Sequence, residues 1–352
     1  MADSDTIQLL AAPLLMPEQK TKKTPWSDLP RYQLGHWPTP LQHLKKLTAE
    51  LQGPNIWIKR DDCTGLALGG NKTRKLEFLI ADALAKNCDP VITFGALQSN
   101  HARQTAAACA AAGLTCHQIL TRSVASDHPD YERGGNVLLG NLLGATAHIV
   151  EVQDAKSFSA ALTADLEKQG KHPYLIPAGG SSPLGALGYG TCAQELAQQW
   201  AEHKINPGVL IHASSSAGTQ AGLLSGLPAV DRHCRVMGIN VYHEDPDRLR
   251  SNIDKLCTTM RARFDIAGPH LPIEVNHAYF GEGYGIPTQE CLDAIRIMAR
   301  LEGILFDPVY SGKALAALID QITLGNFDEY EDVVLLHTGG TPALWVYDHI
   351  LR

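Results

Sequence analysis

From about residue 55 onward the sequence alternates short apolar runs with Ala-rich stretches of helical length, and this order restricts the fold more than any other feature. Strand candidates fall at 56–59, 91–94, 114–120, 145–150, 174–176, 209–212, 236–241 and 333–337. Helix candidates fall between and after them, at 72–86, 100–112, 135–143, 155–169, 184–203, 218–227, 288–301 and 313–324. Strands separated by helices of this length pair in parallel through right-handed crossovers, so an α/β fold with buried sheets is expected. No long Gly/Ser/Pro linker divides the chain, as expected if two interleaved domains exchange the chain more than once. Residues 1–33 read as a polar, Pro-containing arm lying on the surface or on a partner subunit, with a disordered tail as the alternative.

Composition narrows the function classes. A chain of 352 residues can hold two domains. Thirty Lys and Arg against thirty-seven Asp and Glu give a net charge of −7, with no basic block to neutralise phosphates, so a nucleic-acid partner is excluded. The eight cysteines never form CxxC, which removes the zinc-knuckle and thioredoxin spacings and leaves free buried thiols as the expectation. Scattered thiols fit a reducing compartment, so a cytoplasmic setting is expected. The stretch 7–16 is short, contains Pro13 and follows Asp3 and Asp5, unlike a signal peptide, and no apolar run reaches the length of a membrane span.

Open parallel sheets bind ligands beyond the carboxyl ends of their strands, which directs attention to strand-to-helix segments. The first, KRDDCTGLALGGNKTRK (59–75), ends in a glycine-rich loop and a helix opening near Asn71, a suitable N-cap. Lys72 then lies in the first turn, where the helix dipole disfavours its ammonium and favours the neutral amine, with Lys75 one turn later. A surface lysine in a basic turn is the alternative. A nucleotide P-loop is rejected because Asn71 intrudes between Gly70 and Lys72. The second segment, GALQSNHARQ (95–104), puts Ser99, Asn100 and His101 at a helix N-terminus able to bind a carboxylate. The third, HASSSAGTQAG (212–222), offers backbone amides and the hydroxyls of Ser214, Ser216 and Thr219 to a phosphate. A fourth region combines GEGYGIPT (281–288), DPVYSGK (307–313) and HTGGT (337–341), with Tyr284 and Tyr310 beside glycines. The run 241–248 reads as a solvated loop and, with no HExxH, no metal is expected.

Together these motifs resemble fold type II pyridoxal-phosphate enzymes, in the branch containing D-cysteine desulfhydrase, L-cysteate sulfo-lyase and 1-aminocyclopropane-1-carboxylate deaminase. The similarity runs from about residue 38 to 344, with the motifs in family order. It implies two open, twisted, mostly parallel sheets flanked by helices, as in the tryptophan synthase β-like fold. It also implies a large domain from 34–74 plus 184–352, a small domain from 75–183, a small amino-acid substrate and a homodimer. By the resemblance, Lys72 carries the cofactor pyridoxal 5'-phosphate covalently and removes the substrate's Cα proton. Lys75 and the loop Ser214, Ser215, Ser216, Ala217, Gly218 and Thr219 bind its phosphate, and Asn100 its 3-hydroxyl. Ser99, Asn100 and His101 meet the substrate, and Tyr284 or Tyr310 protonates the leaving group.

The ring-opening deaminases carry Glu where this chain has Ser311 and Leu where it has Thr338. Two neutral hydroxyls near the ring nitrogen imply a weaker electron sink, sufficient for β-elimination. The expected reaction is therefore an α,β-elimination on a sulfur amino acid, with D-cysteine favoured by Gly312 and Ala314, and L-cysteate, then the cyclopropane substrate, as alternatives. A non-catalytic small-molecule binding protein is the alternative from another class. SSSAG departs from the family's more usual SGSAG.

Overall fold

The computed structural model describes residues 23–126 and 128–351. In chain order the first elements are β1 (Leu41–His43), α1 (Lys45–Leu51), β2 (Asn55–Arg60), α2 (Lys72–Ala85), β3 (Val91–Ala96), α3 (Asn100–Ala112), β4 (Cys116–Thr121), α4 (Gly135–Leu142) and β5 (Thr146–Val150). They are followed by α5 (Ala155–Lys168), β6 (Tyr174–Ile176), α6 (Pro183–His203), β7 (Val209–Ser214), α7 (Gly218–Ala229) and β8 (Arg235–Asn240). The last are α8 (Pro246–Phe264), β9 (Glu274–Asn276), α9 (Gln289–Glu302), α10 (Ser311–Thr323), β10 (Asp332–His337) and α11 (Asp348–Leu351).

The strands form two sheets, one ordered β1-β2-β10-β7-β8-β9 and the other β5-β4-β3-β6. Every ladder between these strands is parallel except β1 with β2. The larger sheet pairs β2, from early in the chain, with β10, its last strand, while all four strands of the smaller sheet come from between them.

Period-2 geometry explains why the central strands are apolar throughout. Val209, Ile211, Val333 and Leu335 point into one core with Met298, Leu315 and Leu318 of α9 and α10. Their neighbours Leu210, Val334 and Leu336 point the other way, against Leu196, Leu223 and Ile253 of α6, α7 and α8. The smaller sheet is likewise covered twice, by Leu76, Ile80 and Cys109 on one face and Phe158, Leu162 and Leu166 on the other.

Five elements escaped the sequence reading: β1, α1, β9, α8 and the four-residue α11. The two strands have three residues each, too short for alternation to register. Helix α8 did carry a signal, since Asp245 caps it by accepting from Asp247 N, Pro246 opens it, and Leu249, Ile253, Cys257 and Met260 are buried at helical spacing. The solvated-loop reading of 241–248 is therefore corrected from Pro246 onward. Of the arm, residues 1–22 lie outside the described residues, while Trp26 is buried among Phe78, Ala186, Leu187, Met260 and Ile266. Arg31 pairs with Glu77, whose other oxygen accepts from Leu34 N, Gly35 N and Trp37 Nε1, so this stretch is fastened to its own chain. None of the eight cysteines is paired; six are buried, Cys88 is half-buried and Cys63 exposed.

Candidate active site

The carboxyl ends of β3, β7 and β10 meet the loop that precedes α2, enclosing a cavity of about 740 Å³. Its wall brings together Lys72, Ser99, Asn100, His101, Ser214, Ser215, Ser216, Ala217, Thr219, Tyr284, Tyr310 and Thr338. Lys75 and Gly218 stand behind that wall. Ser311 is not brought to it, because its hydroxyl turns to Asp307, donating to Oδ1 at 2.5 Å and accepting from Asp307 N at 3.0 Å. Asp307 also accepts from the backbone N–H groups of Val309, Tyr310 and Ser311, which fixes the turn carrying Tyr310.

Lys72 donates to Asn71 Oδ1 at 2.9 Å. Burial lowers its amine to about 8, with the Asp307 carboxylate pulling in the opposite direction. Asn71 occupies the N-cap position, yet its side chain makes no capping bond. Its amide instead spans the cavity edge, donating to Thr219 Oγ1 at 3.1 Å. That role was not legible, because an Asn before a helix reads as a cap. Ser99 does cap α3, accepting from Ala102 N at 3.1 Å, which leaves its own proton available.

Lys75 is fully buried and donates only to neutral acceptors, Gly179 O at 3.1 Å and Ser181 Oγ at 3.3 Å. Burial, and secondarily the charge of Lys72, hold its amine well below the ordinary lysine value. A Cβ on Gly218 would lie 2.7 Å from Lys75 Nζ and 2.6 Å from Ser181 Oγ, so the amine and the first turn of α7 face the same small space. Ser181 in turn donates to Ser216 Oγ at 2.8 Å, and the Ser215 carbonyl accepts from His243 Nε2 at 3.0 Å. His243 and Tyr242, read as loop residues, thus belong to the site; Tyr242 packs edge-on against Tyr284 with centroids 4.8 Å apart. The hydroxyls of Tyr284 and Tyr310 are in direct hydrogen-bond contact. Burial pushes both phenols above their ordinary value, so each keeps its proton.

His101 has a determined tautomer. Thr93 Oγ1 donates its single proton to Ile176 O at 3.1 Å, so it accepts from His101 Nε2 at 2.8 Å, and Nδ1 is left as an acceptor. Burial, with the charges of Lys72 and Lys75, keeps this ring neutral. The acidic pair of the first motif does not face the cavity: Asp61 is bound by Arg74, Thr39 and Tyr189, and Asp62 by Arg60. Among the described residues His128, Asp348 and His349 lie together. His128 Nδ1 accepts from Asp130 N at 3.2 Å, so Nε2 carries the proton given to Asp348 at 2.9 Å, and both nitrogens are engaged.

A profile of pyridoxal-phosphate dependent enzymes matches residues 32–339. The chain belongs to that family. It is 42% identical over 324 residues to a D-cysteine desulfhydrase of Serratia proteamaculans, covering 91% of this chain and 97% of that protein. A D-cysteine desulfhydrase of Yersinia pestis is 42% identical over 322 residues, with the same coverage. Among solved structures, an ACC deaminase homologue superposes with a TM-score of 0.84 at 34% identity, covering 93% of this chain and 97% of that one. The serine racemase of Dictyostelium discoideum, at 17% identity, TM-score 0.61 and coverage of 86% and 92%, shares the fold. The two mostly parallel sheets are thus those of fold type II, as the motifs implied.

The residues present fit the family's cofactor. A phosphate dianion suits the space shared by the buried Lys75 amine, whose protonated form it would favour, the serine hydroxyls and a helix N-terminus. An amine lowered to about 8, on the same wall, suits covalent attachment of an aldehyde. Thr338, on the same wall, carries an uncharged hydroxyl.

Proposed function

We propose that the chain is a carbon–sulfur lyase that, with water, converts D-cysteine to pyruvate, ammonia and hydrogen sulfide. The observation that carries this reading is the near full-length similarity to relatives named D-cysteine desulfhydrase. Bound pyridoxal phosphate supplies a conjugated electron sink for the substrate's α-carbon. Lys72 would hold the cofactor and, as a free amine, would be the base at Cα, a role for which a value of about 8 leaves about a tenth of the amine neutral at pH 7, against under about a thousandth for an ordinary lysine. Lys75 and the segment 214–219 hold the phosphate. Ser99, with the first amides of α3, receives the substrate carboxylate, His101 lies beside it, and Asn100 meets the 3-hydroxyl. Either hydroxyl of the Tyr284–Tyr310 pair would deliver a proton to the departing sulfur, and the pair would be reprotonated from water. Ser311 acts through Asp307, by holding the turn of Tyr310.

This reading includes the division into 34–74 plus 184–352 and 75–183 with an arm at 1–33, supported by the membership of the two sheets. It includes a homodimer, supported by exposed Leu138 and Leu142 on α4 and Trp345. It also places the protein in the cytoplasm, supported by eight unpaired thiols. No helix among the described residues is long and apolar enough to cross a membrane. The test is product release from D-cysteine, L-cysteine, L-cysteate, D-serine and 1-aminocyclopropane-1-carboxylate in parallel. Sulfide with pyruvate from D-cysteine supports the proposal, and sulfite from L-cysteate with no sulfide from D-cysteine replaces it with the sulfo-lyase.

A further inference from the structure

Asn100 does not set its own amide orientation. Asn136, buried in the first turn of α4, donates from Nδ2 to Asn100 Oδ1 at 3.0 Å and to the Gln98 carbonyl at 3.0 Å. With its oxygen engaged, Asn100 has Nδ2 left to present to the cavity. The sense of the Asn136 amide is fixed from behind, since its Oδ1 accepts from Arg103 Nε at 2.7 Å. A guanidinium only donates and a carbonyl only accepts, so turning Asn136 over would set N–H against N–H on one side and oxygen against oxygen on the other.

Arg103 is itself buried with no carboxylate partner among its hydrogen bonds. Its remaining bonds go to Ala67 O and, at 3.0 Å, to Gly69 O. Those carbonyls belong to four consecutive residues with positive φ, Ala67, Leu68, Gly69 and Gly70, which lead directly into Asn71 and Lys72. One side chain therefore braces the loop that delivers the lysine and starts the relay that orients Asn100.

We propose that Arg103 and Asn136 are positioning residues that present Asn100 as a hydrogen-bond donor to a ligand oxygen, with Asn136 deciding the sense. This rests on reading the cavity as the cofactor site, where the ligand oxygen is the 3-oxygen of the pyridine ring. A donor there favours the ionised oxygen, and an acceptor favours the neutral hydroxyl.

Asn136→Asp separates positioning from packing. The introduced carboxylate gives Arg103 an ion partner but can donate to neither Asn100 nor Gln98, so Asn100 turns its nitrogen back and shows its oxygen to the cavity. The expected result is a melting temperature of the cofactor-free protein that is kept or raised. Pyridoxal phosphate affinity falls at least about tenfold, and the absorbance of the bound cofactor moves from its visible, ionised form toward the near-ultraviolet neutral form. Asn100→Asp, which still accepts from Asn136 but has no donor, is expected to give the same spectral change and covers the case in which Asn136→Asp does not fold. Unchanged affinity and band ratio in a folded variant would overturn the inference. Failure of the wild-type protein to bind the cofactor at all would instead overturn the cofactor reading, and this inference with it.

Discussion

At the scale of single residues the reading turns on the amine of Lys72. Its place at a helix N-terminus argues for a neutral amine from the dipole; in the structure burial lowers the amine to about 8 against the pull of Asp307. Capture of pyridoxal phosphate by the cofactor-free protein is therefore expected to speed up with pH around a midpoint near 8, read from the growth of visible absorbance; a midpoint near the ordinary 10.5 would contradict it. Linkage adds a stability effect with a definite sign. Below about 8 the amine is charged both folded and unfolded, and the cost of burying that charge is fully present. Between about 8 and 10.5 the unfolded chain binds the extra proton, so stability rises with pH. Lys72→Met is expected to flatten this rise in chemical denaturation, and Lys72→Ala to lower turnover at least about a hundredfold. Residues whose types announce chemistry, Lys72, Ser99, Tyr284 and Tyr310, were legible in the sequence. Those that act by holding others, such as Asn71, Asn136, Arg103, His243 and Asp307, were not, because their roles exist only where distant segments meet.

At the scale of elements the loop between β7 and α7 shows how a motif and its departures are read. Ser215, in the place of the usual glycine, has no positive φ, whereas Ala217 does, at φ 67 and ψ −34. Ala217→Gly is accordingly expected to stabilise the protein by about 1 kcal/mol with cofactor binding retained. Gly218→Ala puts a methyl group 2.7 Å from Lys75 Nζ, into the space assigned to the phosphate. It is expected to weaken pyridoxal phosphate binding at least about tenfold without changing the circular dichroism of the helices; undiminished affinity would move the phosphate elsewhere. Strand-to-helix segments were found because their polar and small residues interrupt strong periodicity. Helix α8 is not read from the sequence although its apolar spacing is regular, since the acidic, Pro-containing run 241–248 that overlaps its start reads as a loop.

At the scale of the whole molecule the β2 side of the larger sheet is fastened to helices α2 and α6 by buried charge. Asp61, on the turn after β2, accepts from Arg74 of α2 at 2.7 and 2.8 Å, and Arg74 and Lys59 both reach Glu195 of α6 at 2.8 Å. Burial works to raise both carboxyls, but the Arg74 guanidinium prevails and holds them below their ordinary values. Such groups stabilise the fold above the ordinary carboxyl range, and the contribution is lost as pH falls below about 4 through their folded-state values. Asp61→Asn is expected to destabilise the protein at pH 7 by about 3 kcal/mol, with the difference from wild type shrinking as the pH is lowered past 4; equal unfolding curves at pH 7 would contradict this. The interleaving of the sheets is expected from the lack of a linker, but this clamp is not legible, since Glu195 lies more than a hundred residues from Lys59, Asp61 and Arg74 and nothing in the sequence pairs them. The most direct test of the central claim is sulfide and pyruvate release by the purified protein supplied with pyridoxal phosphate and D-cysteine. Equimolar release, lost in Lys72→Ala, is predicted; a protein that binds the cofactor but releases neither product from D-cysteine would contradict the account.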